Sequence, residues 1–185
     1  MSLILDRIEQ HEWVIRGLRP LEEDIQTIGQ MLVTVVSGGG TIFFAGNGGS
    51  AAMAAHLAAE LVGRFGKDRK PIAGLAFTDS TMITAIANDY GYVEVFSRSV
   101  AALVHVQDAL VLLSTSGASP NVVRAAVAGQ QVGVPTVALT GLAPNPLSDL
   151  CQFGVGVPIN STARIQEAHL LIGHIWCEMV EAACG

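Results

Sequence analysis

TIFFAGNGGSAAMAAHLAAE, residues Thr41–Glu60, is the stretch of sequence that decides the fold. Its short apolar run predicts a β-strand that breaks at Gly46, Gly48 and Gly49, and the alanine-rich segment after them is typical of a helix. Glycines permit a tight turn and close approach to a ligand, and the free N–H groups at a helix N-terminus favour an anion. The stretch therefore predicts a strand, a phosphate-binding loop and a helix.

His56 and Glu60 lie four residues apart on this predicted helix, so they share one face. An imidazole and a carboxylate directly behind a phosphate loop are groups that acid–base catalysis needs. A pair at this spacing is also common on helix surfaces, so the neighbouring loops decide how to interpret it.

A dinucleotide site is the main alternative for the loop, because G-x-G-x-x-A fits residues 46–51. That site needs an acidic residue at the end of the second strand, about 20 residues further on. Asp68 and Asp79 fit this position poorly. No GK[ST] follows the loop either, which excludes a P-loop.

The composition predicts one compact α/β domain over residues 1–185, since 50% of the residues are apolar and 14% are charged. The formal net charge of −6 argues against binding of nucleic acid or an anionic membrane. Asp6, Glu9 and Glu12 do not fit a signal peptide, and no apolar run is as long as a membrane span. The three cysteines form no CxxC pair, which argues against a disulfide framework or zinc knuckle. We expect a soluble, cytoplasmic protein.

The hydrophobic periodicity divides the chain into three parts: N-terminal helices over residues 1–37 separated near Pro20, strands alternating with helices over 41–160, and a long helix over 162–183. The predicted strands are Thr41–Ala45, Ile72–Phe77, Ala109–Ser114, Thr136–Thr140 and Phe153–Val157. The predicted helices between them are Ala51–Arg64, Thr81–Asn88, Val93–Val104 and Asn121–Val132, with a turn near Leu147–Leu150.

Strands that alternate with helices predict an α/β fold, a three-layer α/β/α open sheet of five mainly parallel strands, here preceded by a helical pair. The last helix, Thr162–Ala183, has few charges and is therefore expected to be buried. The N-terminal helices have no strand partner in sequence, so we expect contacts between subunits there, although they could also cap a single domain.

A second loop, residues 114–120 with sequence STSGASP, follows the strand ALVLLS and precedes a helix. Hydroxyls and backbone N–H groups at a helix N-terminus bind phosphate or sugar oxygens. Ser119 before Pro120 would also serve as an ordinary N-cap. Capping needs only one hydroxyl, whereas four surround Gly117, so the run favours ligand binding at the carboxyl edge of the sheet.

Four motifs together resemble the sugar isomerase (SIS) family of phosphosugar-binding domains: GNGGSAA…H…E, STSG-S, NDYG at Asn88–Gly91, and RIQE..H….H at Arg164–His174. The resemblance covers nearly the whole chain. It implies an aldose–ketose isomerase that converts D-sedoheptulose 7-phosphate to D-glycero-D-manno-heptose 7-phosphate through an enediol, for surface-glycan heptose precursors such as those of lipopolysaccharide. It also implies a homotetramer with active sites at subunit interfaces and one zinc ion per subunit.

The resemblance also implies roles for particular residues. Glu60 and His174 would exchange the protons, and zinc would be held by His56, Glu60, Gln166 and His174. Ala163 stands where some members of the family have an aspartate, so any substrate contact from that side chain is absent. The implied substrate-binding residues are Asn47, Gly48, Gly49, Ser50, Glu60, Asp89, Ser114, Thr115, Ser116, Ser119 and Gln166.

The residue types agree with this chemistry, because moving a proton between adjacent carbons needs a base, an acid for the oxygens and stabilisation of an oxyanion. Glu60 would be the base and His174 the acid, or both would hold a metal that polarises the carbonyl. Metal-assisted and purely acid–base mechanisms both remain open from the sequence. His169 is expected to have a structural role.

Gln166 and His174 are eight residues apart, about 12 Å along a helix and about 80° around it. Either their side chains converge on one ion or they come from different subunits, and we favour a site assembled between chains. Arg64 and Arg69 either contact the substrate or belong to a solvated turn.

A protein of another class could share this fold, namely a non-catalytic phosphosugar-binding regulator or a replication-initiation adaptor. Such a protein would not need Glu60, His56 and His174 together in one pocket. Because this chain has all three, the sequence favours the isomerase.

Overall fold

The computed structural model describes residues 2–184, which form seven α-helices around a five-stranded sheet. Two short 3-10 turns, Arg19–Leu21 and Tyr92–Glu94, precede α2 and α5. The helices are α1 (Leu3–Arg16), α2 (Glu22–Ser37), α3 (Gly49–Val62), α4 (Ser80–Tyr90), α5 (Val95–Leu103), α6 (Pro120–Val132) and α7 (Thr162–Cys184), and the strands are β1 (Ile42–Gly46), β2 (Gly74–Ala76), β3 (Ala109–Ser114), β4 (Thr136–Thr140) and β5 (Phe153–Gly156).

All the strands are parallel, and their order across the sheet is β2-β1-β3-β4-β5. Along the chain, β2 is placed on one side of β1 and the later strands β3, β4 and β5 on the other, so the strand order reverses between β1 and β3. Open α/β sheets bind their ligands at the carboxyl ends of the strands beside such a switch point. Because Gly46 is paired with Leu113 in the register, the glycine-rich loop after β1 and the hydroxyl-rich loop after β3 lie side by side.

Alternate residues of the central strands face opposite sides of the sheet. Ile42 and Phe44 join the apolar core formed with α1, α2, α3 and α7, whereas Phe43 and Ala45 join the core formed with α4, α5 and α6. Strands buried on both faces have the continuous apolar sequences seen in β1, β3 and β4. This arrangement confirms the predicted three-layer parallel α/β fold.

The second N-terminal helix belongs to the layer that covers the sheet. Ile28 and Leu32 of α2 are buried in the core of that face, and Trp176 of α7 donates its indole N–H to the Ile25 carbonyl at 2.9 Å. The helix α1 differs, because Ile4 and Trp13 are 72% and 61% exposed. The N-terminal helices were expected either to contact other subunits or to cap a single domain, and α2 caps the domain.

Several predicted boundaries were wrong by one to three residues. The second strand has only Gly74–Ala76 instead of Ile72–Phe77, because the Ile72 N–H is donated to the Leu61 carbonyl of α3. The helix expected from Val93 begins at Val95, since the chain first forms the 3-10 turn. The helix α3 covers 49–62 instead of 51–64, so the glycine turn itself provides its first residue.

The cysteines within residues 2–184 are free thiols. Burial raises the pKa of Cys177 to about 12 and that of Cys151 to about 11. No helix in the described range combines the length and apolarity needed to cross a bilayer.

Candidate active site

Glycines shape both loops at the switch point. Gly48 has φ of 53° and Gly117 has φ of 62°, a backbone region that favours glycine over residues with a side chain. At Gly117 a Cβ atom would also clash with the side chain of Asn145, which is buried under the loop. Both predicted ligand loops are therefore tight turns that direct backbone groups towards the same edge of the sheet.

The hydroxyls of the second loop form a cluster. The Ser114 Oγ atom lies 3.2 Å from Ser119 Oγ and 3.5 Å from Ser116 Oγ, and Ser116 Oγ accepts the Ala118 N–H at 3.2 Å. Among the described residues, Ser119 makes no side-chain capping bond to α6, although it is the N-cap residue. Its hydroxyl faces Ser114 instead, and Thr115 lies half-buried in the same loop.

Asn47 connects the two loops. It exchanges two amide hydrogen bonds with Asn121 of α6, each 2.8 Å long, and its Oδ1 also accepts the Tyr92 hydroxyl at 3.0 Å. Asp89, near the end of α4, is exposed and accepts the Asn88 side-chain amide at 2.8 Å. Tyr92 thus holds the segment that contains Asp89 against the glycine-rich loop.

Gln166 of α7 lies over the beginning of α3. A Cβ atom at Gly49 would overlap Gln166 Nε2, so the Gln166 amide packs directly against the Gly49 backbone and would have to move if a side chain were added there. Ser50, the next residue, is buried in the first turn of α3. Gln166 is therefore placed beside Gly48, Gly49 and Ser50, three of the predicted substrate-binding residues.

His56, Glu60 and His174 come together further along the same two helices. The Nε2 atoms of His56 and His174 are 2.9 Å apart, and His56 Nε2 is 3.4 Å from Glu60 Oε1. The side chains of His56 and Glu60 are 44% and 23% exposed, so the cluster is open to a ligand. One chain supplies all three groups, and completion of the site by a second chain remains a prediction.

The environment of His174 favours its neutral form. Burial lowers the pKa of His174, the nearby His56 lowers it further, and the Glu60 carboxylate partly offsets both effects. A neutral imidazole can accept a proton or bind a metal. The ring of Phe65 lies beside it, with 5.5 Å between the ring centroids.

The donor atoms of His56, Glu60 and His174 all lie within 4.8 Å of one another. Two imidazole nitrogens and one carboxylate oxygen form a donor set that suits a divalent transition metal such as zinc. The two Nε2 atoms face each other at 2.9 Å, a distance at which they can share a proton. The residues therefore fit the metal that the family resemblance implies.

A family model described as the SIS domain matches residues 11–141. The chain belongs to the SIS domain family. Phosphoheptose isomerase 1 of Campylobacter jejuni subsp. jejuni is 40% identical over 182 residues, 98% of each chain. Phosphoheptose isomerase of Streptomyces coelicolor is 50% identical over 159 residues, 85% of this chain and 69% of that protein. The structure of phosphoheptose isomerase from Neisseria gonorrhoeae has a TM-score of 0.86 at 35% identity, covering 97% of this chain and 99% of that one.

This SIS domain contains a contact that the sequence did not reveal between Arg69 and Glu181, 112 residues apart. The Arg69 side chain is only 2% exposed, so the solvated-turn interpretation is wrong for this residue, whereas Arg64 is exposed. Burial opposes ionisation of Glu181, but the N–H groups of residues 65–67 and the Arg69 guanidinium outweigh it and lower its pKa. Two buried charges so far apart in sequence leave no local pattern that would have predicted their pairing.

Other polar partners of the SIS domain were also missed. Asn121 and Tyr92 both bond to Asn47, but a single amide and a single phenol in the sequence carry no pattern that would predict these contacts. No pattern in the sequence indicates a partner for His11, whose Nδ1 lies 2.6 Å from Oε2 of Glu167, the residue after Gln166. His169 has the predicted structural role, since its Nε2–H is donated to the Thr140 carbonyl at 3.0 Å.

Proposed function

We propose that this protein is an aldose–ketose isomerase that converts D-sedoheptulose 7-phosphate to D-glycero-D-manno-heptose 7-phosphate. The observation that carries the proposal is the convergence of His56, Glu60 and His174 on α3 and α7, in a fold where the glycine-rich and hydroxyl-rich loops lie side by side. Relatives named phosphoheptose isomerase at 40–50% identity support the same reaction. A regulator that only binds a phosphosugar would need the loops but not the cluster.

The two loops would bind the substrate. Helix N-termini and hydroxyls at the ends of β1 and β3 suit phosphate oxygens. Asn47 and Asp89 would contact the sugar chain, and Gln166 would contact both the substrate and the metal. The predicted phosphate-binding hydroxyls are those of Ser50, Ser114, Thr115, Ser116 and Ser119.

The reaction moves one proton between carbons and one between oxygens. Glu60 would take a proton from C1 of the ketose and return it to C2, passing through an enediol. His174 would deliver a proton to the C2 oxygen while the C1 hydroxyl loses its own, so that the carbonyl ends at C1. The lowered pKa of His174 favours the neutral imidazole, which carries one N–H donor and one accepting nitrogen and can therefore pass a proton between the substrate oxygens.

Zinc would be held by His56, Glu60 and His174 of one chain and by Gln166 of a second chain, since Gln166 lies over Gly49 in its own chain. A bound zinc ion would polarise the substrate carbonyl as a Lewis acid. Glu60 and His174 cannot easily bind zinc and transfer protons at the same time, so the metal-assisted and the acid–base mechanisms compete for these side chains. Activity of the metal-free and the zinc-loaded protein, measured side by side, distinguishes the two mechanisms.

We further propose a homotetramer of the cytoplasm whose product enters the synthesis of surface-glycan heptose precursors such as those of lipopolysaccharide. The exposed apolar side chains of α1 support association, because a contiguous apolar face in water favours burial against another surface. Active sites at the subunit interfaces would follow from such packing.

The test is incubation with sedoheptulose 7-phosphate in heavy water, followed by NMR of the product. We expect deuterium at C2 of an aldose, since the carbon-bound proton exchanges with solvent while it is on the base. The absence of turnover by the metal-replete protein, combined with tight binding of the sugar phosphate, would support the regulator instead.

Glu60→Gln removes the base while preserving the shape of the side chain. We expect kcat to fall at least about 100-fold, because general-base catalysis typically contributes that much or more. Binding of the sugar phosphate should persist. Asp68→Asn is the matched control, since Asp68 is exposed in the loop after α3. Unchanged turnover in Glu60→Gln would remove this residue from the mechanism.

A further inference from the structure

The carboxylate of Glu181 is saturated with hydrogen bonds. Its Oε1 accepts the Phe65 N–H at 2.9 Å and the Arg69 Nε–H at 3.0 Å, and its Oε2 accepts the Gly66 and Lys67 N–H groups at 2.8 and 3.1 Å. The side chain is only 8% exposed. One residue of α7 therefore fixes the backbone of the segment that follows α3.

Arg69 connects this carboxylate to the end of α3. Its guanidinium donates to the carbonyls of Glu60 and Leu61, both at 2.8 Å, and to that of Gly63 at 3.3 Å. The last carbonyls of a helix have no partner within the helix, and a cation there is favourable. Arg69 thus holds the backbone of Glu60 itself. We call the pair the Glu181–Arg69 clasp.

The clasp also reaches His174. Glu181 lies seven residues after His174, about 20° short of two full helical turns, so both side chains are on the same face of α7. The segment that Glu181 holds contains Phe65, whose ring packs against the His174 imidazole with 5.5 Å between centroids. The clasp therefore acts on Glu60 through the backbone and on His174 through Phe65.

Stability alone gives a weak reason for burying this ion pair, because apolar residues of similar volume often stabilise a protein as well or better. Apolar replacements here would leave unpaired the N–H groups of residues 65–67 and the carbonyls at the end of α3. The clasp instead determines where the end of α3 lies against α7. Those two helices carry His56, Glu60 and His174.

We propose that Glu181 and Arg69 are positioning residues, which hold α3 and α7 so that Glu60 and His174 reach the substrate in the geometry that proton transfer requires. The role rests on the proposed isomerase function. Neither side chain touches the reacting atoms, so the clasp should affect kcat more than binding.

Glu181→Gln is the decisive variant. A glutamine has one accepting oxygen, so its NH2 group must face either the Phe65 and Arg69 donors or the Gly66 and Lys67 donors. We expect kcat to fall about 10-fold or more with KM changed less than about twofold, since small displacements of catalytic groups reduce the rate strongly. The NMR resonances of the His174 ring protons should lose the shift caused by the Phe65 ring.

Two further variants serve as a control and as a second test of the clasp proposal. Glu178→Gln is the matched control, because Glu178 lies three residues earlier on α7 and is exposed; it should change neither kcat nor the His174 resonances. Arg69→Lys retains the charge but loses the fork that reaches several carbonyls, and should reproduce the loss of kcat if Glu181→Gln does not fold.

The clasp proposal is overturned if folded Glu181→Gln or Arg69→Lys has the same kcat and the same His174 chemical shifts as the parental protein.

A separate outcome tests the proposed isomerase function. If the parental protein does not exchange deuterium but the His174 resonances still move in Glu181→Gln, the isomerase proposal fails and the clasp remains as a device that positions the cluster.

Discussion

His169 is buried without charge between α7 and the end of β4. Its side chain is fully buried, and its pKa is lowered to about 4, mainly by burial and against the effect of the hydrogen bond to the Thr140 carbonyl. An unfolded histidine has a pKa of about 6.5. Between pH 6.5 and 4 the unfolded chain therefore binds a proton that the folded one does not, and folding stability must fall as the pH falls through this window.

We expect His169 to reduce the free energy of unfolding by roughly 2 kcal/mol between pH 7 and pH 5. In His169→Gln, which can still donate to Thr140, this part of the pH dependence should disappear. Urea denaturation of both proteins at the two pH values measures it. Equal losses in the two proteins would show that other groups cause the acid sensitivity.

The serine cluster leads to a second prediction at the scale of single residues. Ser119→Ala should raise KM for the sugar phosphate about 10-fold, because a hydrogen bond to a charged group contributes roughly 1.5–3 kcal/mol. Ser37→Ala is the control, since Ser37 ends α2 before β1, at the opposite edge of the sheet. Steady-state kinetics of both variants measures this change. An unchanged KM in Ser119→Ala would show that Ser119 has only a structural role.

Residues with local signals were the ones that the sequence could predict. The glycine turn at 46–49 and the hydroxyl loop at 114–119 are contiguous, and the structure places them at neighbouring strand ends as expected. The four-residue spacing of His56 and Glu60 was enough to predict that they share one face of a helix. The Arg69–Glu181 and Asn47–Asn121 contacts join distant segments, so nothing in the local sequence distinguishes them from exposed polar residues.

At the scale of elements, α3 and α7 run parallel. Gln166 lies over Gly49, Gly173 meets Leu57, and Glu181 binds the N–H of Phe65, so contacts advance in the same direction along both helices. A Cβ atom at Gly173 would lie 2.5 Å from Leu57 Cδ1, in the core of the helix pair. The missing side chain allows the close approach that brings His174 to His56.

Gly173→Ala should therefore separate the helices. Overpacking typically costs about 1–3 kcal/mol, and the higher helix propensity of alanine offsets about 1 kcal/mol of that cost. We expect a modest decrease in Tm and a larger decrease in kcat. Gly154→Ala is the control, because its Cβ would meet Ala138 at ordinary contact distances of 3.6 and 3.7 Å.

If Gly173→Ala retained the parental kcat, the close approach of α7 to α3 at this glycine would not matter for activity.

The packing of these two helices could be predicted from the sequence only in part. The spacing of Gln166 and His174 indicates either convergence on one ion or contributions from two chains, but it carries no signal for the parallel packing of α3 against α7. The interpretation between chains is unnecessary for the His56, Glu60 and His174 cluster, since one chain brings these three together.

At the scale of the whole molecule, α1 has the most exposed apolar face. Leu3, Ile4 and Ile8 are 69%, 72% and 50% exposed, and Ile4 and Ile8 lie one turn apart on the same face. The double variant Ile4→Asp/Ile8→Asp should dissociate the proposed tetramer, because charges would have to be buried at the contact.

Sedimentation velocity over a range of protein concentrations measures this dissociation. The control Gln30→Asp/Thr34→Asp places the same charges one turn apart at exposed positions of α2. If the active sites are completed between subunits, specific activity should fall as the assembly dissociates. A fully active monomer would contradict interfacial sites, and an unchanged oligomer would contradict the role of α1.

The fold class was predictable at this scale because strand and helix periodicity alternate so regularly that few topologies remain. The predicted family is confirmed by the match over residues 11–141. Boundaries were less predictable where tertiary contacts shorten an element, as at the edge strand β2. The oligomeric state and the location in the cell remain predictions.

The positions of the helix N-termini have a consequence for how this protein could change over time. α3 and α6 begin at the loops after β1 and β3, and Ile165 in the first turn of α7 lies close to Gly141 after β4. Attraction for an anion there comes largely from the main chain, in a molecule whose formal net charge is −6. Substitution of side chains cannot easily remove it. Under the proposed mechanism, a descendant that loses Glu60 would lose the base but keep this attraction for a phosphate group, so few substitutions separate an isomerase from a sensor on this fold.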